Sequence, residues 1–446
     1  MQIVAQILFV IALVAGIGFF ARNIRRVIRN VKLGKQVDRS DKAGERFAKM
    51  AKVAIGQSKM VKRPIAGFLH IIVYVGFIII NIEVLEIIID GIFGTHRIFS
   101  FMGGFYDVLI ASFEILALLV FVGVVLFWIR RNTINIYRFL GRELKGWPKN
   151  DANYILYFEM VLMVLFLVMN AADYQLQLNG ANHYASEAGI MGSFPVSQYL
   201  LPLLDGFSNA TLIIIERVAW WLHILGILFF LNYLYYSKHL HILLAFPNVY
   251  LSKLTLQGKM DNLESVKKEV ELMMDPNADP FAAPAEGEDD GEPDKFGASD
   301  IFDLNQVQLL NAYTCTECGR CTSECPANQT GKKLSPRKIM MDTRDRVEEV
   351  GEIINKNGKF EDDGKKLLDD YILREELWAC TTCNACVEAC PIGIDPLSII
   401  LDMRRYLVME ESAAPNELAI AMTNIENNGA PWPYNQMDRL KWAEEK

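Results

Sequence analysis

The sequence predicts an all-α membrane protein, a five-helix transmembrane bundle joined to a soluble and mostly helical domain. Three observations carry this. Hydropathy divides the chain near residue 250, apolar before it and mostly acidic after it, a split hidden in the bulk values of 52% hydrophobic residues and net charge −8 over 446 residues. Five apolar runs in the first part are each long enough to cross a ~30 Å hydrocarbon core as helices. In the second part, segments 336–350 and 363–378 repeat apolar positions at helical spacing, with few strand-like alternations. The length allows two or three domains. The expected boundaries are 1–250 for the membrane domain, 251–300 for a partly disordered acidic linker and 301–446 for the soluble domain with its tail.

The first run, Ile3–Phe20, has no basic flank before it and no small-residue cleavage site after it. It therefore reads as a retained helix and not as a cleaved signal peptide. Arg22, Arg25, Arg26 and Arg29 follow it, as cations follow an anchor. The other runs are Ile65–Ile89, Val108–Ile129, Tyr154–Ala172 and Leu212–Tyr236. Orientation comes from the distribution of cations. Segment 22–63 carries fourteen Lys or Arg against Asp38, Asp41 and Glu45, and 130–150 adds Arg130, Arg131, Arg138, Arg142, Lys145 and Lys149. The opposite connections are nearly bare: 91–104 holds Arg97 alone, and 178–211 holds no Lys or Arg. The N-terminus is expected outside, and five crossings leave everything after Tyr236 in the cytoplasm of a bacterial-type inner membrane.

Segment 275–300, DPNADPFAAPAEGEDDGEPDKFGASD, is rich in Pro, Ala, Gly and acids. It has too little apolar surface to order itself and reads as a tether. Beyond it, all eight cysteines fall in two copies of one spacing, CTECGRCTSECP at 315–326 and CTTCNACVEACP at 380–391. Each is Cys-x2-Cys-x2-Cys-x3-Cys-Pro, the run that wraps a cubane [4Fe–4S] cluster and sends its fourth thiolate to the neighbouring cube. One cluster is assigned to Cys315, Cys318, Cys321 and Cys390, the other to Cys380, Cys383, Cys386 and Cys325. Cys-x2-Cys pairs also suit zinc. Zinc does not account for four close thiols followed by Pro326 and the same layout repeated at Pro391. No cysteine is left for a disulfide framework or a thiol nucleophile. Oxygen-sensitive clusters belong on the reducing side of a membrane, the side that the cations select independently. The distance from Cys325 to Cys380 leaves room for about two helices, so the expected domain is helical and larger than a minimal ferredoxin.

The six histidines are His70, His96, His183, His223, His239 and His241. His96 and His183 fall in the outer connections and read as solvated. Ionisable groups inside membrane helices are functional candidates by default, with hydrogen-bonded packing as the alternative for neutral imidazole. On one continuous helix, His223 and His241 would stand five turns apart on one face, ~27 Å along the axis, a register that suits two haems stacked across a bilayer. His239 points ~160° away from His223 on the same helix and is the weaker ligand. His70, near the inner end of the second helix, could face either histidine by depth. Glu83, Glu86, Glu114, Glu159, Asn170 and Asp173 could carry protons, although most lie near helix ends where interface solvation explains them. Trp220 and Trp221 suit either a ligand wall or an interfacial belt.

Two resemblances then become specific. Segment 223–241, HILGILFFLNYLYYSKHLH, together with His70, resembles the cytochrome b subunit of respiratory nitrate reductase and related membrane subunits of heterodisulfide reductases and sulfite-reducing complexes. The resemblance implies haem b ligation by His223 and His241, with His70 paired to His241 on the cytoplasmic side. The family's second-helix ligand for the outer haem falls on Ile80, so the resemblance implies one haem and leaves a second open. Segment 314–345, TCTECGRCTSECPANQTGKKLSPRKIMMDTRD, and the tail from Met403 to Ala443 resemble the fused electron-transfer flavoprotein:menaquinone oxidoreductases. Those proteins join such a cytochrome to a dicluster domain and a cysteine-rich domain of the heterodisulfide-reductase type. The chain ends just after Trp442, where that third domain would begin, which implies a separate cysteine-rich subunit docking near 403–446.

The function so implied is electron transfer from a cytoplasmic donor, such as an electron-transfer flavoprotein, through two clusters and haem b to menaquinone. Two alternatives remain at this level: a quinol-oxidising subunit of a heterodisulfide- or sulfur-reducing complex, and a membrane scaffold whose clusters only fold the domain. Direction of flow, quinone site and oligomeric state are not legible in the sequence. Mild acidity gives no basis for nucleic-acid binding.

Overall fold

A computed structural model describes residues 2–134, 136–181, 183–184, 189–256, 258–276 and 295–444. Most of the stretch expected to be a tether, 277–294, lies outside the described residues. Its described end is packed: Ala298 and Ser299 are buried, and Lys295 Nζ donates to Asp303.

Five helices are long and apolar enough to cross a membrane, and the chain is a membrane protein of all-α fold. They are α1 (Gln2–Val31), α2 (Pro64–Phe93), α3 (Gly104–Asn132), α4 (Trp147–Leu178) and α5 (Asn209–Tyr233). Each begins before the apolar run that marks it in the sequence; for α2 and α4 a first-turn proline, and for α5 the Ser208 cap, sets the start where hydropathy does not. α2 starts with Pro64 in its first turn, where a missing N–H costs nothing, and stops at Gly94 in the left-handed region, φ 71°. Small residues let the helices approach closely. A Cβ on Gly76 of α2 would lie 2.4 Å from a Val120 methyl of α3, and one on Gly91 would lie 2.6 Å from the Phe9 ring of α1.

After α5 the chain departs from the expected continuous helix. A short 3-10 turn, Leu234–Tyr236, leads to Ser237 in an extended conformation (φ −119°, ψ 145°), and α6 (His241–Leu251) begins afresh. The cause is Asp151 at the start of α4. Its Oδ1 accepts from Tyr233 Oη (2.7 Å) and its Oδ2 from the Lys238 backbone N–H (3.1 Å), while Ser237 Oγ accepts from the His239 N–H (3.1 Å). These side chains take the N–H groups that a continuing helix would use. The five-turn register between His223 and His241 therefore does not exist: the two stand on separate helices and share no single helix face.

Among the other helices, α7 (Gln306–Thr314), α8 (Pro336–Asn357) and α9 (Pro396–Met409) flank the two cysteine loops, and α10 (Asn416–Asn428) follows in the tail. Among the described residues the only extended pairings are the isolated bridges Lys35–Asn305 and Leu368–Ile372. Asn305 and Gln308 form a capping box on α7, and Ser335 and Asp395 cap α8 and α9 just before Pro336 and Pro396. This domain shares one apolar core with the bundle, since Val27 of α1, Leu234 and Leu240 cluster with Ile301, Leu309 and Ile339. Polar bonds reinforce the junction. Arg29 donates to Asn355 and to the Gly351 carbonyl, Asn30 donates to the Tyr313 hydroxyl, and Arg337 pairs with Glu143.

Candidate metal centres

The two cysteine loops repeat each other in backbone as well as in sequence. In the first, Glu317 and Gly319 are left-handed (φ 55° and 69°); in the second, Thr382 and Asn384 occupy the same places (φ 56° and 61°). A β-branched threonine pays strain for that conformation. The gain is a concave turn whose N–H groups face sulfur: Thr382 N–H donates to Cys380 Sγ (3.4 Å) and Ile394 N–H to Cys390 Sγ (3.3 Å). Each loop runs through a short helix to an extended cysteine, Cys325 or Cys390, whose φ of −76° or −72° leads into Pro326 or Pro391.

The thiols group across the loops. Cys390 stands within electrostatic reach of Cys318, and Cys321 reaches Cys315, Cys318 and Cys390. Cys325 stands with Cys380 and Cys386, and Cys383 with Cys380. Cys321 also faces Cys386, so the two groups adjoin, and one cavity is lined by Cys315, Cys318, Cys321, Cys390 and Cys386. Among the described residues no three His, Cys, Asp or Glu side chains come close enough to share a single ion. Burial pushes the Cys315 thiol up to about 12 and the Cys390 thiol up to about 11. Such thiols ionise only with positive metal charge among them, so the donor set fits an iron–sulfur cluster.

Three histidines meet at the base of the bundle. His239 and His241 stand ring to ring at 5.5 Å in edge-on contact, and His70 lies within electrostatic reach of both. His241 Nδ1 donates to the Lys238 carbonyl (3.1 Å), leaving Nε2 as the free lone pair, the arrangement usual for a metal-ligating imidazole. His70 Nδ1 is a buried atom without a hydrogen-bond partner. Burial, with His241 and His70 adding to it, holds His239 down to about 3, so this histidine is neutral. These side chains fit an axial pair for a haem. His223 lies apart, buried on α5, with Nδ1 donating to the Leu162 carbonyl (3.0 Å) and its ring against Phe166. Ile80, where a facing ligand was sought, belongs to the apolar core beside Trp220 and Ile224.

At the far end of the bundle the polar residues are not solvated, and this corrects the reading of His96 and of the helix-end carboxylates. Glu83, Glu86, Glu114, Asn170 and Asp173 are all buried. His96 Nε2 bonds Asp173 (3.1 Å), Arg97 donates to Asp173, Asn170 and Tyr106, and Asn170 donates to Glu114 (3.2 Å). Composition could not show this, because the partners come from different helices. Glu83, Glu86, His96, Arg97 and Asp173 line a cavity of about 530 Å³ walled by Phe9, Trp220 and Trp221. Glu83 Oε2 and His96 Nδ1 are buried there without partners. Arg320, between two cysteine ligands, was also missed. It contacts the Met60 sulfur (2.8 Å) and lies within electrostatic reach of Cys318, Cys390 and His70.

Residues 314–394 match the 4Fe-4S dicluster domain family. Over 98% of its length the chain is 29% identical to a probable iron-sulfur-binding oxidoreductase FadF of Bacillus subtilis, covering 61% of that protein. Over 92% it is 24% identical to an EtfAB:quinone oxidoreductase of Syntrophomonas wolfei, covering 56%. Over 29% it is 31% identical to one subunit of a ferredoxin/F(420)H(2)-dependent CoB-CoM heterodisulfide reductase of Methanosarcina acetivorans, covering 66%. The chain thus spans about six tenths of the length of the first two. No solved structure matches.

Proposed function

We propose, for a chain that belongs with the iron–sulfur oxidoreductases related to EtfAB:quinone oxidoreductase and heterodisulfide reductase, that it is the electron-transfer subunit of a membrane oxidoreductase. Its donor is cytoplasmic, an electron-transfer flavoprotein acting through a cysteine-rich partner subunit, and its acceptor is menaquinone. Two [4Fe–4S] clusters and haem b supply one-electron chemistry when bound. Cys315, Cys318, Cys321 and Cys390 hold one cluster, and Cys380, Cys383, Cys386 and Cys325 the other. His70 and His241 are the axial pair, His239 walls their pocket, and His223 is the ligand available to a second haem. The N-terminus is outside and the cysteine loops are cytoplasmic. Supporting this, Arg97 of the outer connections is buried in an ion pair with Asp173.

The observation that carries the reading is contiguity. Supporting it, Cys386 and Cys321 line one cavity, and Arg320, which lines it too, lies within electrostatic reach of Cys318 and of His70. The outer cavity is the quinone site: its aromatic walls suit a ring, and Glu83 Oε2 and His96 Nδ1 are free to hold the protons that reduction consumes. The test is to reduce the purified protein anaerobically in lipid nanodiscs and add a menaquinone analogue. Reoxidation of haem and clusters is expected, and Glu83→Gln should slow it by about 10²-fold, as loss of a proton-transfer group does. Failure of the quinone to reoxidise protein that soluble acceptors do reoxidise would contradict the reading.

A further inference from the structure

We infer that Arg320 fixes the order of the two cluster potentials, holding the cluster of Cys315, Cys318, Cys321 and Cys390 above its neighbour and so drawing electrons toward the membrane half. The inference rests on reading both thiol sets as cluster sites. Arg320 is only 7% exposed, and the polar contacts of its guanidinium are the Met60 sulfur and, at 3.5 Å, the Lys59 carbonyl. Among the described residues no carboxylate pairs with it. A guanidinium taken out of water without a counter-ion is costly. What can compensate it is the thiolate set beside it, since Arg320 lines the same cavity as Cys315, Cys318, Cys321 and Cys390. A cube with four thiolates is negative in both redox states and more so when reduced. A fixed cation therefore stabilises the reduced state more and raises the potential.

The neighbouring charges make this an asymmetry and not a general effect. Around the first set, Arg337 is neutralised by Glu143 (2.7 Å) and Lys59 by Glu388 (3.6 Å), while Glu317 is neutralised by Lys238 and Arg344. That leaves Arg320 and Arg138, which reaches Cys318 and stacks on Phe139, as cations without carboxylates. Around the second set, Arg404 donates to the Leu377 and Cys380 carbonyls and stacks on Trp378, while Asp395, beside Cys386, is paired with Lys253 (3.6 Å). Two uncompensated cations face one cluster; one faces the other. An electron leaving the second cluster oxidises it and reduces the first, with no proton required.

The test is an EPR redox titration of the whole detergent-solubilised protein, with iron, sulfide and haem content measured beside it. Wild type should show two cubane potentials. Arg320→Gln should lower the upper one by about tenfold or more in the oxidised-to-reduced ratio, ~59 mV for a one-electron couple, and leave the lower one in place. Arg320→Lys should keep the wild-type order. Asp395→Asn, which retains a capping side chain for α9, should raise the lower potential and narrow the gap; it tests the same asymmetry should Arg320→Gln fail to assemble. Cubane signals whose potentials do not move in these variants, or a lower potential that moves with Arg320, would overturn the inference and leave the cluster reading standing. Wild-type protein without cubane signals would overturn both.

Discussion

Single residues carry opposite kinds of information in this chain. The cysteines announce themselves, because a thiolate ligand set needs a fixed spacing that few other roles require. Arg320 and Asp151 do not, because an arginine or aspartate takes its meaning from what folds against it. The histidines fall between: type and depth in the membrane marked His70 and His241, but only the structure brings their rings together with His239. His241→Ala should abolish bound haem while leaving non-haem iron and sulfide content unchanged, measured on the purified protein; haem retained at wild-type level would refute the pairing with His70. Gly319 is as constrained as any ligand. Its φ of 69° is left-handed, and a Cβ there would sit 2.4 Å from an Arg337 nitrogen and 3.2 Å from the Arg138 carbonyl. Gly319→Ala should therefore lose the cluster of the first loop, halving the non-haem iron while the haem spectrum persists.

At the level of elements, the five membrane helices were legible because hydropathy is a sum over some twenty residues and tolerates error at any one of them. The break after Tyr233 was not, because it is imposed by Asp151, far away in sequence on α4. Asp151→Ala leaves the Tyr233 hydroxyl and the Lys238 N–H without their acceptor, at a cost of ~1–3 kcal/mol for each group left buried and unpaired. The expected result is a lower thermal midpoint together with loss or broadening of the haem spectrum, since His239 and His241 lie just beyond the break; an unchanged spectrum would separate the break from the histidine pocket. The tail shows the reverse case. α10 has no buried residue, and Ile420, Ile425, Trp432, Tyr434, Met437 and Trp442 beyond its supporting helix are exposed. Apolar surface of this extent suits the docking of the proposed cysteine-rich partner. If it docks there, deleting residues from Asn416 onward should abolish its co-purification and leave clusters and haem intact, and normal recovery of that partner would place its docking elsewhere.

For the whole molecule, the soluble domain is built into the end of the bundle instead of hanging from it. Hydropathy drew a boundary near residue 250, yet the core runs across it, and buried ions are shared by both sides. Burial raises the pKa of Glu317, but Lys238 and Arg344 outweigh this and hold it below the usual carboxylate range, so it is fully charged at neutral pH. Glu317→Gln strands Lys238 and Arg344 and should cost ~3–5 kcal/mol, the range for breaking a buried pair from one side. Protease cleavage at the junction should then accelerate while each half keeps its own metal groups.

A relay between cysteine loops and membrane histidines needs that rigid junction, because electron transfer depends on fixed separation. The proposed relay runs unbroken from the cysteine loops to the histidines. Anaerobic optical and EPR redox titration of the native protein should then show two magnetically interacting cubane clusters together with a reducible b-type haem band in one preparation. Clusters without any haem band, or haem that stays oxidised when both clusters are reduced, would contradict it.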